Sequence, residues 1–210
     1  MKLFFAPGAC SLAAHIALRD ACIAFEAVKV DLRKHELADG TDYYSINPKG
    51  SVPFAVLDDG ASLSEVAVIL QYIADRKPGT FAPAFGSIER YRVMEWLNFI
   101  ATELHKGFGP VWDPDTPEAT KGKARTTLAK RFEIVAKPLA TQSYLTGEAF
   151  TIADVYLFTI LNWAGMLKVD LSPWPALHAF LARVAARPNV HAVLVAEGLI
   201  KEAAAATVAA

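Results

Sequence analysis

The residue best suited to chemistry is a cysteine placed where a short strand gives way to a helix. Cys10 stands in the segment Pro7-Gly8-Ala9-Cys10-Ser11-Leu12, directly after the apolar run at residues 2–5. A thiol at a helix N-terminus faces unpaired backbone N–H groups and the positive end of the helix dipole. This position favours the thiolate, which attacks electrophiles or exchanges with another sulfur. The alternative is that Cys10 packs as a small buried hydrophobe, as most free cysteines do, and position alone favours neither.

A second set of polar residues shares one face of a later helix. Asn98, Thr102 and His105 are spaced i, i+4 and i+7 within the helix predicted over residues 87–107. A polar stripe of this kind needs water or a ligand to satisfy it. If the stripe faces Cys10, the His105 imidazole can hold or relay a proton for the thiol. A lone helical histidine is more often structural or solvated, and that alternative stays open.

The composition is typical of a compact folded protein and excludes several classes of partner. The chain has 210 residues, of which 53% are hydrophobic and 20% charged, enough to bury a sizeable core. Its net charge is −1 with no basic run, which argues against nucleic acid and anionic membranes. No apolar stretch approaches the roughly 18 residues of a membrane span, and the N-terminus lacks a signal-peptide pattern. Cys10 and Cys22 form neither a redox pair nor half of a zinc site, so we expect a cytoplasmic, reducing location.

The positions of these residues depend on two regions of different structure. The N-terminal region predicts strands at residues 2–5, 25–31, 52–57 and 61–63, and helices that begin at residues 11 and 64–65. The polar segment 33–42 is predicted to be a loop, and Asp58-Asp59-Gly60 is a hairpin turn. The order β-α-β, connector, β-β-α is that of a thioredoxin-type fold.

The rest of the chain predicts helices only. We expect a thioredoxin-like domain at 1–77, a linker at 78–87, an all-helical domain at 88–202 and a frayed tail at 203–210. Helices are predicted over residues 87–107 and 117–142, from 151, after 175, and over 190–197. Thr151 and Asp154 have the spacing of a capping box at the start of one of them.

Taken together, these motifs resemble the glutathione transferases, and specifically their bacterial beta class. The resemblance runs along nearly the whole chain and is carried by Pro7-Gly8-Ala9-Cys10-Ser11-Leu12, Asn47-Pro48-Lys49-Gly50, Val52-Pro53, Leu63-Ser64-Glu65, residues 95–108, Phe150-Thr151-Ile152-Ala153-Asp154 and Ala186-Arg187-Pro188. It implies a thioredoxin-like N-terminal domain, a helical glutathione-transferase C-terminal domain and a homodimer. It also implies an enzyme that uses glutathione as co-substrate, without a metal, to conjugate electrophilic, largely apolar small molecules.

The resemblance also assigns roles to individual residues. It makes Cys10 and His105 the catalytic residues, and it gives glutathione contacts to His35, Val52, Pro53, Glu65, Val66, Asn98, Glu103 and Lys106. The resemblance implies that Pro53 is cis and that the backbone of Val52 pairs with the cysteinyl unit of glutathione. Glu65 holds the γ-glutamyl end beside a helix N-terminus. Glu103 is assigned to the neighbouring subunit's site.

The chain departs from the family pattern at two positions. Val66 stands where serine or glycine is common, so a backbone N–H contact survives but a hydroxyl contact does not. His35 stands where lysine is frequent, and we expect glutathione binding to weaken or to depend on pH.

Some expectations concern activity and the surrounding pocket. Cys10 also predicts thiol-disulfide exchange through a mixed disulfide with glutathione. A non-catalytic glutathione or ligand carrier on the same scaffold remains the alternative. We expect His15 and Cys22 to be buried structural residues. The pocket for the electrophile is expected to draw on residues near Phe5, Phe108, Trp112 and Trp163.

Overall fold

The N-terminal part of the chain forms a mixed sheet with two helices. The computed structural model describes residues 1–201, and the predicted frayed tail at 203–210 lies outside the described residues. In order, the elements are β1 (Lys2–Phe5), α1 (Ser11–Asp20), β2 (Glu26–Asp31), β3 (Glu36–Leu37), a 3-10 turn (Tyr43–Ser45), β4 (Phe54–Val56), β5 (Ser62–Ser64) and α2 (Val66–Arg76). Within residues 1–201 the sheet has five strands in the order β3-β2-β1-β4-β5.

The central strand β1 positions the start of α1. It runs parallel to β2, with α1 as the crossover, and antiparallel to β4, which returns along β5 as a hairpin. Leu3 of β1 is fully buried and lies opposite Ala55 of β4. This arrangement confirms the thioredoxin-like prediction, and it places Cys10 at the carboxyl end of β1.

The edge strand β3 was not predicted. It lies inside the polar segment 33–42, where Leu37 pairs with Val30 and Glu36 with Asp31. The two residues join the sheet through their backbone, which leaves no alternating hydrophobic pattern to detect. The segment is otherwise composed of turns, as the sequence predicts.

Within the described residues, the regular elements of the C-terminal part are helices. It contains α3 (Ile88–Phe99), a π-helical segment (Ile100–His105), a 3-10 turn (Lys106–Phe108), α4 (Gly109–Trp112), α5 (Glu118–Leu139), α6 (Ile152–Met166), α7 (Pro175–Ala185) and α8 (Pro188–Ala196). Between α2 and α3, residues 77–87 form turns and irregular backbone, where the linker is predicted. None of the helices described here has the length and apolar character needed to cross a membrane.

Helix α6 forms the centre of the molecule. Residues 152–161 are all buried, as expected for a helix that is apolar on every side. It packs against α1 and α2 from one part of the chain and against α3 and α7 from the other. The two parts therefore share one hydrophobic core.

The start of α6 is fixed by the predicted capping box, which the structure confirms. The Asp154 carboxylate accepts hydrogen bonds from the Thr151 N–H and from the Leu145 N–H, both at 2.8 Å. Burial raises the pKa of Asp154 to about 6, although these donors oppose the shift. The carboxylate thus satisfies backbone groups that would otherwise be buried without partners.

The helix predicted over residues 87–107 changes its geometry before it ends. From Ile100 to His105 the backbone widens into a π helix, a feature often found at functional sites. Asn98 and Thr102 are exposed, and the Thr102 hydroxyl donates to the Asn98 carbonyl at 3.1 Å. Thr102 therefore needs no ligand to satisfy it. His105 instead turns into the protein and is half-buried.

Candidate active site

Cys10 sits at the N-cap of α1 and faces the loop that precedes β4. Its Sγ donates to the Val52 carbonyl oxygen at 3.0 Å, and the residue as a whole is partly buried. Val52 precedes Pro53 through a cis peptide bond, as the family resemblance implies. Among the described residues, Val52 makes no backbone–backbone hydrogen bond. Its N–H is therefore available to an extended peptide beside the thiol.

The pKa of Cys10 is set by burial rather than by the helix dipole. Burial raises it to about 12. The backbone N–H groups of Cys10 and Ser11 lower the pKa by a smaller amount, while the charge of Glu65 raises it and that of Lys106 lowers it. The helix N-terminus therefore does not by itself make Cys10 a thiolate in the free protein. Desolvation of the sulfur outweighs the helix N-terminus, and the proton is held by the Val52 carbonyl.

The turn before Cys10 is held from both sides by the C-terminal part. Gly8, at a φ of +71°, donates its N–H to Glu197 Oε2 and accepts at its carbonyl from Trp163 Nε1, both at 2.9 Å. Glu197 Oε1 also bonds His15 Nδ1 at 2.8 Å. His15 is buried, as expected. These contacts fix the backbone two residues before the thiol.

His105 is held by a buried tyrosine. Its Nδ1 lies 2.6 Å from the Tyr156 hydroxyl, and its ring meets the Trp163 ring edge-on at 5.0 Å. Burial lowers the pKa of His105 to about 4, the charge of Lys106 lowers it further, and Glu65 opposes both. The imidazole is therefore neutral at pH 7.

The tautomer of His105 follows from the surroundings of Tyr156. The Tyr156 hydroxyl is buried, and within residues 1–201 its hydrogen-bond partner is His105 alone. If Tyr156 accepted from Nδ1–H, its own proton would be left without a partner in the core. We therefore assign the hydroxyl as donor to Nδ1, which leaves Nε2–H as a donor.

Glu65 and the start of α2 place opposite charges side by side. Glu65 is the N-cap of α2 at a φ of +72°, and its carboxylate is exposed. Val66 is buried as the first helical residue, and its N–H belongs to the first turn, which has no intrahelical acceptor. A carboxylate beside free N–H groups suits a ligand that carries an ammonium and a carboxylate on one carbon.

The cleft beside Cys10 has a volume of about 440 Å³. Its walls are residues 6–10, Leu32, His35, residues 50–52, Trp112, Trp163 and Met166. Trp112 and Trp163 meet edge-on at 5.5 Å, as an aromatic wall. The cleft is lined by both tryptophans and, next to Phe5, by Ala6 and Pro7, whereas Phe5 and Phe108 themselves are buried and do not line it. Met166, half exposed at the mouth, was missed because apolar residues of a helix give no sign of which lie in a pocket.

His35 reaches this cleft from a turn with a φ of +56°. Its ring stacks on Tyr44 at 4.5 Å with an angle of 15° between the planes. A Cβ at Gly50 would come within 2.5 Å of the Tyr44 ring, so glycine is required there. The stack orients the imidazole at the wall of the cleft.

Three other residues singled out in the sequence do not line this cleft. Asn98 is exposed, and the Glu103 carboxylate is bound within its own chain by Arg131 Nε at 2.7 Å. Cys22 is exposed at a φ of +54° after the end of α1, so its predicted burial is wrong. Its place is set by the turn that ends the helix rather than by its hydrophobic side chain. A larger cavity of about 630 Å³ lies near residues 79–84 and contains none of the predicted site residues.

Comparison with known proteins agrees with this geometry. The chain matches the family models "Glutathione S-transferase, N-terminal domain" over residues 8–76 and "Glutathione S-transferase, C-terminal domain" over residues 99–188. It is 50% identical over 201 residues to glutathione S-transferase GstA of Escherichia coli O157:H7, across 95% of this chain and 100% of that protein.

Two solved structures extend the comparison to three dimensions. One is a sphingomonad glutathione S-transferase complexed with glutathione, and the other is the beta class enzyme of Sphingomonas chungbukensis. Each has a TM-score of 0.91 and 44% identity, and each comparison covers 95% of this chain and 100% of the other. The chain therefore belongs to the glutathione S-transferase family, as a protein of its bacterial beta class.

Proposed function

We propose that this glutathione transferase binds the glutathione sulfur beside Cys10 and directs it at electrophilic, largely apolar small molecules. The observation that carries the proposal is the contact of Cys10 Sγ with the Val52 carbonyl, at the floor of an aromatic-walled cleft. The backbone of Val52, before Pro53, suits the cysteinyl unit of an extended tripeptide. The walls formed by Trp112 and Trp163 suit an apolar co-substrate.

The ends of glutathione find complementary groups on either side of the thiol. Glu65 would hold the γ-glutamyl ammonium, and the Val66 N–H its carboxylate. His35 would meet the glycyl carboxylate, more strongly when its imidazole is protonated. Asn98 and Lys106 would contact the ligand from the helical part. Because the Lys106 charge lowers the pKa of Cys10, it acts on the sulfur site itself.

The chemistry follows from keeping Cys10 protonated. A thiol with a pKa of about 12 is a hydrogen-bond donor at pH 7, so it can donate to a glutathione thiolate instead of to Val52. The neutral His105 offers Nε2–H, and Lys106 and the α1 N-terminus add positive potential. The glutathione thiol releases its proton to solvent, its sulfur then attacks the electrophile, and the leaving group departs. Placement and thiolate stabilisation lower the barrier.

Thiol-disulfide exchange would use the same cleft with Cys10 as the nucleophile. The Cys10 thiolate attacks the glutathione sulfur of a mixed disulfide between glutathione and another thiol, and that other sulfur leaves as a thiolate. A glutathione thiolate then attacks the Cys10–glutathione disulfide, which releases glutathione disulfide and regenerates the Cys10 thiolate. This route needs the minor, ionised form of Cys10, so it depends more steeply on pH than conjugation does.

The test separates the two activities with one substitution. Cys10→Ala is expected to abolish disulfide exchange and to leave aryl-halide conjugation partly intact, because the other donors to the glutathione sulfur remain. Cys22→Ala is the matched control, since Cys22 is exposed and outside the cleft. Equal loss of both activities in Cys10→Ala would contradict this division of roles. Retention on immobilised glutathione without turnover of any electrophile would favour a carrier instead.

We also propose a homodimer formed through the exposed face of α3. Ile88 and Tyr91, three residues apart on this helix, are 63% and 53% exposed. Phe85, which precedes the helix, is 82% exposed. Large apolar residues grouped on a surface favour association. Glu103 lies on the same helical run and would approach the neighbouring site. Light scattering that gives the mass of a single chain would reject the dimer.

A further inference from the structure

We propose that Lys49 is part of the glutathione site and exchanges its ion-pair partner when glutathione binds. In the free protein it pairs with Glu65, and in the complex it pairs with the α-carboxylate of the γ-glutamyl unit. The inference rests on the proposed function, because it assumes that Glu65 receives the ligand's ammonium. It adds a specificity-determining residue that neither the motif spacing nor the predicted contacts identify.

The free protein shows the first of the two pairings. Lys49 Nζ lies 3.1 Å from Glu65 Oε1 and 3.0 Å from Ser64 Oγ. The lysine side chain is 58% exposed and that of Glu65 is 69% exposed. Solvent screens a pair of this kind, so its opening costs little free energy.

Hydrogen bonds hold the backbone in place at both Lys49 and Glu65. The Lys49 N–H donates to Asn47 Oδ1 at 3.2 Å, and the Gly50 N–H donates to the Asn47 carbonyl at 2.8 Å, which closes the turn around Lys49. Glu65 is held at the N-cap of α2, where its carbonyl accepts from the third and fourth helical N–H groups. The two charges are therefore placed together by the fold and face solvent.

A zwitterionic ligand supplies new ion-pair partners for both Lys49 and Glu65. The γ-glutamyl unit carries an ammonium and a carboxylate on the same carbon, so both enter the site together. The ammonium competes with Lys49 for Glu65, while the carboxylate arrives at the first turn of α2 beside it. Lys49, still within reach of Ser64, then has a second carboxylate as its partner. The site then holds two cations, Lys49 and the ligand ammonium, and two anions, Glu65 and the ligand α-carboxylate, so each charge has a partner of opposite sign.

The exchange predicts discrimination between two ligands. Glutathione has the α-carboxylate, whereas 4-aminobutyryl-cysteinyl-glycine lacks it and keeps the ammonium, the thiol and the glycyl carboxylate. Lys49 assists the first ligand after exchange. When the analogue binds, Lys49 only competes with the ligand ammonium for Glu65. Removal of the lysine charge should therefore act on the two ligands differently.

The experiment measures the dissociation constants of both ligands by calorimetric titration of wild-type protein and Lys49→Met. We expect the substitution to weaken glutathione binding roughly threefold, as for loss of one solvent-screened ion pair, and to leave binding of the analogue unchanged or tighter. Lys49→Arg keeps the charge and should retain the wild-type preference. Lys77→Met, which removes an exposed lysine outside the site, is the control for net charge.

A change of both affinities by the same factor, including no change in either, overturns the proposal, because Lys49 would then only support or oppose Glu65. Since Lys49 is exposed, the variant is expected to fold, and its circular dichroism spectrum checks this. If wild-type protein fails to bind glutathione at all, the proposed function fails with the inference. If wild-type protein binds glutathione but Lys49→Met changes both affinities by the same factor, only the proposed role of Lys49 is rejected.

Discussion

Cys10 shows how two opposing effects act on one sulfur. The helix N-terminus lowers its pKa, yet burial raises the pKa to about 12, because few water molecules can solvate a thiolate there. The motif around Cys10 predicts the position of the thiol at the start of α1, which the structure confirms. The degree of burial depends on the side chains that close around the sulfur, and local spacing does not reveal it.

The first prediction concerns the reactivity of Cys10 in the free protein. Alkylation by iodoacetamide should be slow near pH 7 and should rise about tenfold per pH unit to at least about pH 9.5, since the thiolate fraction grows by that factor below the pKa. The rate is followed by mass spectrometry of the Cys10 peptide in Cys22→Ser protein. A plateau below about pH 8.5 would show that the thiol is already ionised there.

The second residue-scale prediction concerns His105 and Tyr156. Because the pKa of His105 is lowered to about 4, its imidazole does not titrate between about pH 5.5 and 8. The pH profile of kcat/KM for conjugation should therefore contain no step due to His105 in that range. A step in that range that His105→Gln removes would contradict the assignment.

Tyr156→Phe should free Nδ1 to compete for the proton that the tyrosine keeps on Nε2. We expect kcat/KM to fall roughly fivefold to tenfold, as for loss of one buried hydrogen bond, because the proton is no longer kept on Nε2. Burial still lowers the pKa of His105 in this variant, so no new step is expected between about pH 5.5 and 8. An unchanged kcat/KM would mean that Tyr156 does not set the tautomer.

Among the secondary-structure elements, α6 shows what sequence patterns can predict well. The spacing of Thr151 and Asp154 predicts the capping box, because a cap is a local arrangement of a few residues. The turn between β4 and β5 and the start of α2 are predicted for the same reason. The π segment from Ile100 to His105 and the two-residue strand β3 are not, because their geometry depends on packing and pairing with distant parts of the chain.

We expect the protein to lose stability when the cap of α6 is removed. Asp154→Ala would leave the Thr151 and Leu145 N–H groups buried without acceptors. We expect the free energy of unfolding, measured with urea, to fall by about 2–4 kcal/mol. Asp113→Ala is the matched control, because Asp113 bonds a neighbouring N–H on the exposed surface. A loss no greater than that of the control would contradict a structural role for the cap.

At the scale of the whole molecule, the helical part completes the site that the sheet begins. Trp163 binds the Gly8 carbonyl and Glu197 binds the Gly8 N–H. The His105 ring, at the end of the π segment, packs against Trp163, which lines the cleft. The sequence predicts that both parts contribute, through the family resemblance. It gives no sign of the contacts to Gly8, since these residues lie more than 150 positions apart.

The central claim is that glutathione lies along Val52 with its sulfur beside Cys10. A crystal structure of the protein grown with glutathione tests it most directly. The account predicts that the cysteinyl backbone pairs with Val52 and that the two sulfur atoms lie within hydrogen-bonding distance. A structure with the tripeptide bound elsewhere, or with Cys10 closed off from it by packed side chains, would contradict the account.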